Sequence, residues 1–299
     1  MTSALCAQTI RQLVETYPFL ESEVLTTTAF GRPVQTLKVG DGEREVLFSA
    51  AHHANEWITA TILLKFAEDL ARAIQDDGNL YGVPARTIAR NVTIHLVPMV
   101  DPDGVDLVTG AIPQESLEYE TALGIAAGFP DIPFPNGWKA NLLGVDLNLQ
   151  YPAGWLRARE IKFSQGFTRP APRDYVGRAP LSQRETIALA EYTEDVDPEL
   201  VLAYHTQGKV IYWQFEDYDI PGARELAEEF AQVSGYALED TPYQSAYAGY
   251  KDWFIQTFRR PGFTIEAGSG ENPLPISQFD EIYRDNLGIL VTAALGLPA

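Results

Sequence analysis

The sequence is poor in the residues that would cross-link it or seat it in a membrane. Cys6 is the sole cysteine among 299 residues, so no internal disulfide can form, and a reducing compartment is the expected setting. No apolar run reaches the ~20 residues of a membrane span. The start, "MTSALCAQTIRQLVETYPFL", lacks a basic stretch followed by an unbroken apolar one. It reads as an amphipathic helix with Ile10, Leu13 and Val14 on one face rather than as a signal peptide, and a cytoplasmic protein is expected. Basic residues are scarce as well: 22 Lys and Arg stand against 41 Asp and Glu, for a net charge of −19. Such a surface repels polyphosphates, which makes nucleic acids and anionic membranes poor partners. Repeats and low-complexity linkers are missing too, so residues 1–299 are expected to form one domain.

What remains is ordinary globular material, 45% hydrophobic and 21% charged. Short β-like runs alternate with helical patterns. "PVQTLKV", "REVLFSA", "VTIHLVPMV", "PELVLAYH" and "RPGFTIEA" read as strands. Helices are expected from about Asn55 to Ala73, over "SQRETIALAEYT", and over the closing "ISQFDEIYRDNLGILVTAAL". Ser182 and Glu185 have the spacing of a capping box. Alternation of this kind predicts an α/β/α sandwich around a mixed sheet. Between Gly104 and Pro180 the chain is rich in Pro, Gly and aromatic residues, and a long irregular region in a compact fold is usually functional.

Histidine is scarce too, with four in the chain, and two of them are adjacent in "AAHHANEWITA". His53 follows an apolar strand and Glu56 enters the next helical turn. An imidazole and a carboxylate three residues apart at such a corner can bind one zinc ion, given a third ligand. Taken alone, H-x-x-E is a weak signal, because a histidine at a strand end is more often structural. A third donor is available in "VLAYHTQG", where His205 ends another β run. "GFTIEAGSG" ends a third β run with Glu266, and a carboxylate among apolar neighbours has a raised pKa suited to a general base. Three polar groups at three strand ends suggest one site in the crevice beyond the sheet. His52 is read as structural or supporting, and His95, inside "VTIHLVP", as a strand-interior residue. Two imidazoles and a carboxylate suit zinc best, although cobalt or nickel can use the same ligands.

These motifs, in this order, resemble the zinc carboxypeptidase family of the carboxypeptidase A type, over nearly the whole chain. The similar segments are "FGRPVQTLKVG", "HHANEWIT", "DPDGV", "GVDLN", "YHTQG" and "FTIEAG". The resemblance implies a sandwich with a roughly eight-stranded mixed sheet. It also implies that His53, Glu56 and His205 bind one zinc ion and that Glu266 activates water. Trp138-Lys139 stands where the family has a tryptophan followed by an arginine. Lys139 can supply charge to a developing oxyanion, but not a two-pronged grip.

The sequence departs from the family in "GVDLNLQYPAGW". Asn148 is followed by Leu149, where ordinary carboxypeptidases have the arginine that clamps a terminal carboxylate. That phrase, with "HTQG" and "NPLPISQFDEIY", resembles the γ-D-glutamyl-L-diamino acid peptidases, which cut between γ-D-glutamate and meso-diaminopimelate or lysine in cell-wall peptides. The cell-wall-binding repeats of those enzymes are not seen, so a muropeptide or short released peptide is the expected substrate and a single catalytic domain the expected unit. By the same resemblance, "YQSAYAGYKDW" places Tyr243 on the family's mobile active-site tyrosine and Lys251 at the base of the specificity pocket. Asn148, Leu149, Tyr243 and Lys251 are therefore the expected substrate contacts. Two other readings stay open: a conventional metallocarboxypeptidase, which the missing arginine disfavours, and a non-catalytic zinc or peptide-binding module, which has no need of Glu266.

Overall fold

Residues 33–39, read as one strand, break at Thr36 into two short ones, while residues 44–50 form one unbroken strand. The computed structural model describes residues 1–296. In chain order the strands are β1 (Val24–Thr27), β2 (Pro33–Gln35), β3 (Leu37–Val39), β4 (Arg44–Ala50), β5 (Asn79–Leu80), β6 (Val83–Pro84), β7 (Val92–Val97), β8 (Leu200–His205), β9 (Val210–Tyr212), β10 (Ala237–Leu238) and β11 (Gly262–Glu266). Seven of them form the main sheet, in the order β10-β9-β11-β8-β4-β7-β3. The neighbours β7, β4, β8 and β11 run parallel, whereas β3 is antiparallel to β7 and β9 to β11, with β10 parallel to β9, so the sheet is mixed as expected. It has seven strands rather than eight. Outside β3 the chain continues the sheet through a single bridge, Glu21 to Lys38, too short to count as a strand.

Side chains alternate across the sheet with the period of two that strands impose. Val46 and Phe48 of β4, Leu202 and Tyr204 of β8, and Phe263 and Ile265 of β11 enter one core. That core is closed by Ile10 and Leu13 of the first helix, by Leu63 and Phe66 of helix Ile58–Gln75, and by Ile289 and Leu290 of helix Phe279–Leu295. Leu47, Val201 and Ala203 point the other way, against Leu189 of helix Arg184–Val196 and Phe254 of helix Tyr250–Phe258. Helices thus cover both faces, which is the sandwich read from the sequence.

The predicted capping box does not form. Helix Arg184–Val196 starts one residue later than that pattern requires, and Ser182 Oγ instead donates to Gln150 Oε1 at 2.9 Å. No helix among the described residues is long and apolar enough to cross a membrane. The irregular region contributes helices Pro102–Val108, Leu117–Ala126 and Trp155–Ser164, and buries Trp138 completely.

Candidate active site

Register brings the site together. In the parallel sheet Ala50 pairs with Tyr204, and His205 pairs with Glu266, so the carboxyl ends of β4, β8 and β11 lie side by side. Past Ala50 the chain turns into a single 3-10 turn, Ala54–Glu56, before the helix Ile58–Gln75 begins. That turn aims His53 and Glu56 at His205. His53 Nδ1 lies 3.0 Å from Glu56 Oε1, His205 Nδ1 lies 2.9 Å from Glu56 Oε2, and the two Nδ1 atoms are 3.2 Å apart. One ligand atom from each residue lies within 4.8 Å of the others, and all three residues are buried.

Two imidazole nitrogens and a carboxylate buried face to face are costly without a cation between them, and the set matches the ligand types of a zinc site. The surroundings orient it. His53 Nε2 donates to Asp146 Oδ1 at 3.2 Å, which leaves Nδ1 as the ring's metal-facing atom. Asp146 is fixed in turn by the backbone N–H groups of Asn148 and Asp174. Burial alone would raise the Asp146 pKa, but His53 and the lysines Lys139 and Lys162 hold it well below the carboxylate range. For His53, burial disfavours the charged ring, yet Glu56 and Asp146 outweigh it and push the pKa up to about 9. Burial likewise opposes ionisation of Glu56, and His53 and Lys139 reverse that, holding it well below its usual range. Protons therefore compete with a metal ion for these ligands.

Glu266 ends β11 and lines the same cavity as His53, His205 and Lys139, a space of about 160 Å³. Burial and the Glu56 carboxylate push its pKa up to about 8, against the pull of Lys139 and His53. Lys139 Nζ lies 2.9 Å from Glu56 Oε1, so the expected cation sits at the edge of the ligand cluster. Its backbone N–H is held by the carbonyl of Pro172. Asn148 also lines the cavity. Its Nδ2 lies 3.4 Å from His205 Nε2, and its Oδ1 accepts from Tyr250 N–H, which ties the turn Leu147–Leu149 to the helix bearing Lys251. Lys251 is 4% exposed, with Nζ 2.6 Å from Asp252 Oδ1 and donating to the carbonyl of Gln214.

Two expected contacts fall elsewhere. Leu149 turns away from the cavity and packs with Trp155, Val176 and Ala248, as an apolar side chain next to an apolar cluster should. Tyr243 is 55% exposed and its hydroxyl accepts from Arg157 at 2.5 Å, outside the cavity lined by its neighbours Pro242 and Ser245. His52 stacks on His205 and lies 3.3 Å from the Tyr151 hydroxyl, and burial keeps it neutral. His95 joins Tyr192 and Glu45 on the sheet, away from the cluster. Asp146 escaped the sequence reading. Its signal was there in "GVDLN", where an aspartate stands two residues before an asparagine at a turn. A second groove, of about 730 Å³, shares Lys139, Tyr212 and Glu266 with the first cavity and carries Asn55, Gln207 and Arg173.

A mixed α/β sandwich with a His-x-x-Glu…His ligand set and a glutamate on the adjoining strand end defines a mononuclear zinc hydrolase. Comparison with known proteins places it further. The profile of the family described as zinc carboxypeptidase matches residues 6–288. The chain is 45% identical over 285 residues to the γ-D-glutamyl-L-diamino acid endopeptidase 1 of Lysinibacillus sphaericus, spanning 94% of this chain and 69% of that protein. Among solved structures it superposes on bovine thrombin-activatable fibrinolysis inhibitor in complex with tick carboxypeptidase inhibitor, with a TM-score of 0.74 at 17% identity, covering 99% of this chain and 96% of that one. Carboxypeptidase A from Helicoverpa armigera gives 0.72 at 17% identity, covering 96% and 72%. The chain belongs to the zinc carboxypeptidase family and is a zinc metallopeptidase.

Proposed function

We propose that this protein hydrolyses the bond between γ-D-glutamate and meso-diaminopimelate, or another L-diamino acid, in peptides released from the cell wall. The observation that carries this reading is the cavity beside the ligand cluster. It holds a buried lysine and a buried aspartate together, Lys251 and Asp252, at 2.6 Å. A pocket with both signs of charge suits a residue whose side chain ends in an ammonium and a carboxylate, as diaminopimelate does. The name of the L. sphaericus relative agrees.

His53, Glu56 and His205 are the residues that would hold the ion. A zinc ion there would supply Lewis acidity, lowering the pKa of water and polarising the scissile carbonyl. Glu266 takes a proton from the attacking water as its oxygen joins the carbonyl carbon, then passes that proton to the departing amine as the C–N bond breaks. Lys139 presents positive charge to the carbonyl oxygen as that oxygen gains negative charge. Asp146 keeps the His53 ring in one orientation throughout. The reading takes residues 1–299 as one catalytic domain acting on a short peptide, in the cytoplasm.

The test compares two substrates, each with and without a chelator: L-Ala-γ-D-Glu-meso-diaminopimelate and a blocked dipeptide with C-terminal phenylalanine. Chelator-sensitive cleavage of the first alone is expected. Cleavage of the phenylalanine dipeptide alone would identify a conventional carboxypeptidase, and cleavage of neither a binding module.

A further inference from the structure

The groove of about 730 Å³ adjoining the cavity has no role in the account so far. It meets the cavity at Lys139, Tyr212 and Glu266, so a peptide crossing the site places one half in each space. If the diamino acid occupies the side with Lys251, the acyl half lies in the groove.

Arg173 is the notable group there. Its Nε donates to Asp174 Oδ2 at 2.7 Å. Asp174 is itself braced, accepting from Lys162 Nζ at 2.5 Å and sending its own N–H to Asp146 Oδ2. The carbonyl of Pro172, the preceding residue, accepts both the Lys139 and the Ala140 N–H groups, so Arg173 stands next to the Lys139 strand of the loop. The guanidinium is thus held along one edge. Its two terminal nitrogens have no protein acceptor among the described residues, and the side chain is 39% exposed along the groove. In a chain of net charge −19, an oriented and accessible arginine with a lysine beside it marks a place for an anion, even with Glu271 also on the groove wall.

We propose that Arg173 binds the free α-carboxylate of the γ-linked glutamyl residue and so selects acyl residues that carry a carboxylate at that distance; this rests on the function proposed above. A γ-linked glutamate keeps its α-carboxylate, three carbons from the scissile carbonyl. An α-linked residue with an uncharged side chain has no carboxylate in that place, whereas α-linked glutamate carries one equally far from its carbonyl. Two terminal N–H groups on a fixed guanidinium match the two oxygens of such a carboxylate. Arg173 is a specificity-determining residue here, and Glu266 and Lys139 keep the chemistry.

The test uses the zinc-loaded chain with two peptides that differ at one group: L-Ala-γ-D-Glu-meso-diaminopimelate, and the same peptide with the glutamyl α-carboxylate converted to its amide. The wild-type protein should prefer the free acid in kcat/KM by on the order of 10- to 100-fold. Arg173→Gln should remove that preference, chiefly through KM for the acid, and change kcat/KM for the amide by less than about threefold. Arg173→Lys should restore part of it, and melting temperatures should agree. Equal losses on both peptides in Arg173→Gln would mean that Arg173 only braces Asp174, and would overturn the proposal. So would a wild-type protein indifferent to the amide. Failure of the wild-type protein to cleave either peptide would instead remove the γ-glutamyl reading, and this proposal with it.

Discussion

Glu266 and Lys251 carry distinct parts of the account, and single substitutions separate them. Glu266 touches no metal ligand directly, so Glu266→Gln should keep zinc bound while kcat falls by on the order of 10²- to 10⁴-fold with KM little changed. Steady-state kinetics with metal analysis of the same sample checks this; loss of zinc along with activity would give Glu266 a different role. Lys251→Ala should raise KM for diaminopimelate peptides more than for lysine peptides, because lysine lacks the distal carboxylate. An equal rise for both would leave Lys251 a structural partner of Asp252. At this scale position was legible where a polar residue ends an apolar run: His205 and Glu266 do stand at neighbouring strand ends. Less legible is a role that depends on a partner far along the chain. Asp146 acts through His53, 93 residues away, and Arg173 is set by Asp174 and the distant Lys139 loop. For Leu149, a substitution in a motif shows what is lost, not where the new side chain turns, and here it turns into the cluster with Trp155 and Val176.

Elements carry the precision of the site. Three parallel strands, β4, β8 and β11, end in register, and the adjacent helices lock them from both faces. Apolar β runs made those strands legible in advance. The expected eighth strand does not form, and a single bridge at Glu21 stands at that edge instead. The fate of Ser182 was not legible, since its hydroxyl is drawn to Gln150 by a loop packed over the helix start. That helix start also carries Glu185, which is 2% exposed. Burial, helped by Asp103, pushes its carboxyl from 4.5 up to about 7, although its own backbone N–H and Asn141 pull the other way. Between those values the folded chain keeps a proton that the unfolded chain releases, so this contribution is full below pH 4.5 and is lost as pH rises through 7. Glu185→Gln should therefore stabilise the protein at pH 8 by about 1–3 kcal/mol and have little effect near pH 4.5. Urea unfolding at the two pH values decides it, and an equal effect at both would remove burial of charge as the cause.

At the scale of the whole molecule, a strongly acidic body places three basic side chains around its ligand cluster. Lys139, Lys251 and Arg173 line the two connected spaces around the ligand cluster, while the chain as a whole carries −19. Lys139 and Lys251 are paired there with Glu56 and Asp252, so both signs of charge meet at the cleft. The sandwich makes this possible by delivering three strand ends and two loops to one crevice.

Those groups belong to a single metal-dependent site, and a titration tests that directly. The protein is stripped with a chelator, and zinc is returned in steps while release of diaminopimelate from the γ-D-glutamyl peptide is followed. Activity should be lost on stripping, return in proportion to added zinc and level off at one ion per chain. Cleavage that survives complete removal of metal, or a chain that binds one zinc and never regains activity, would contradict the account.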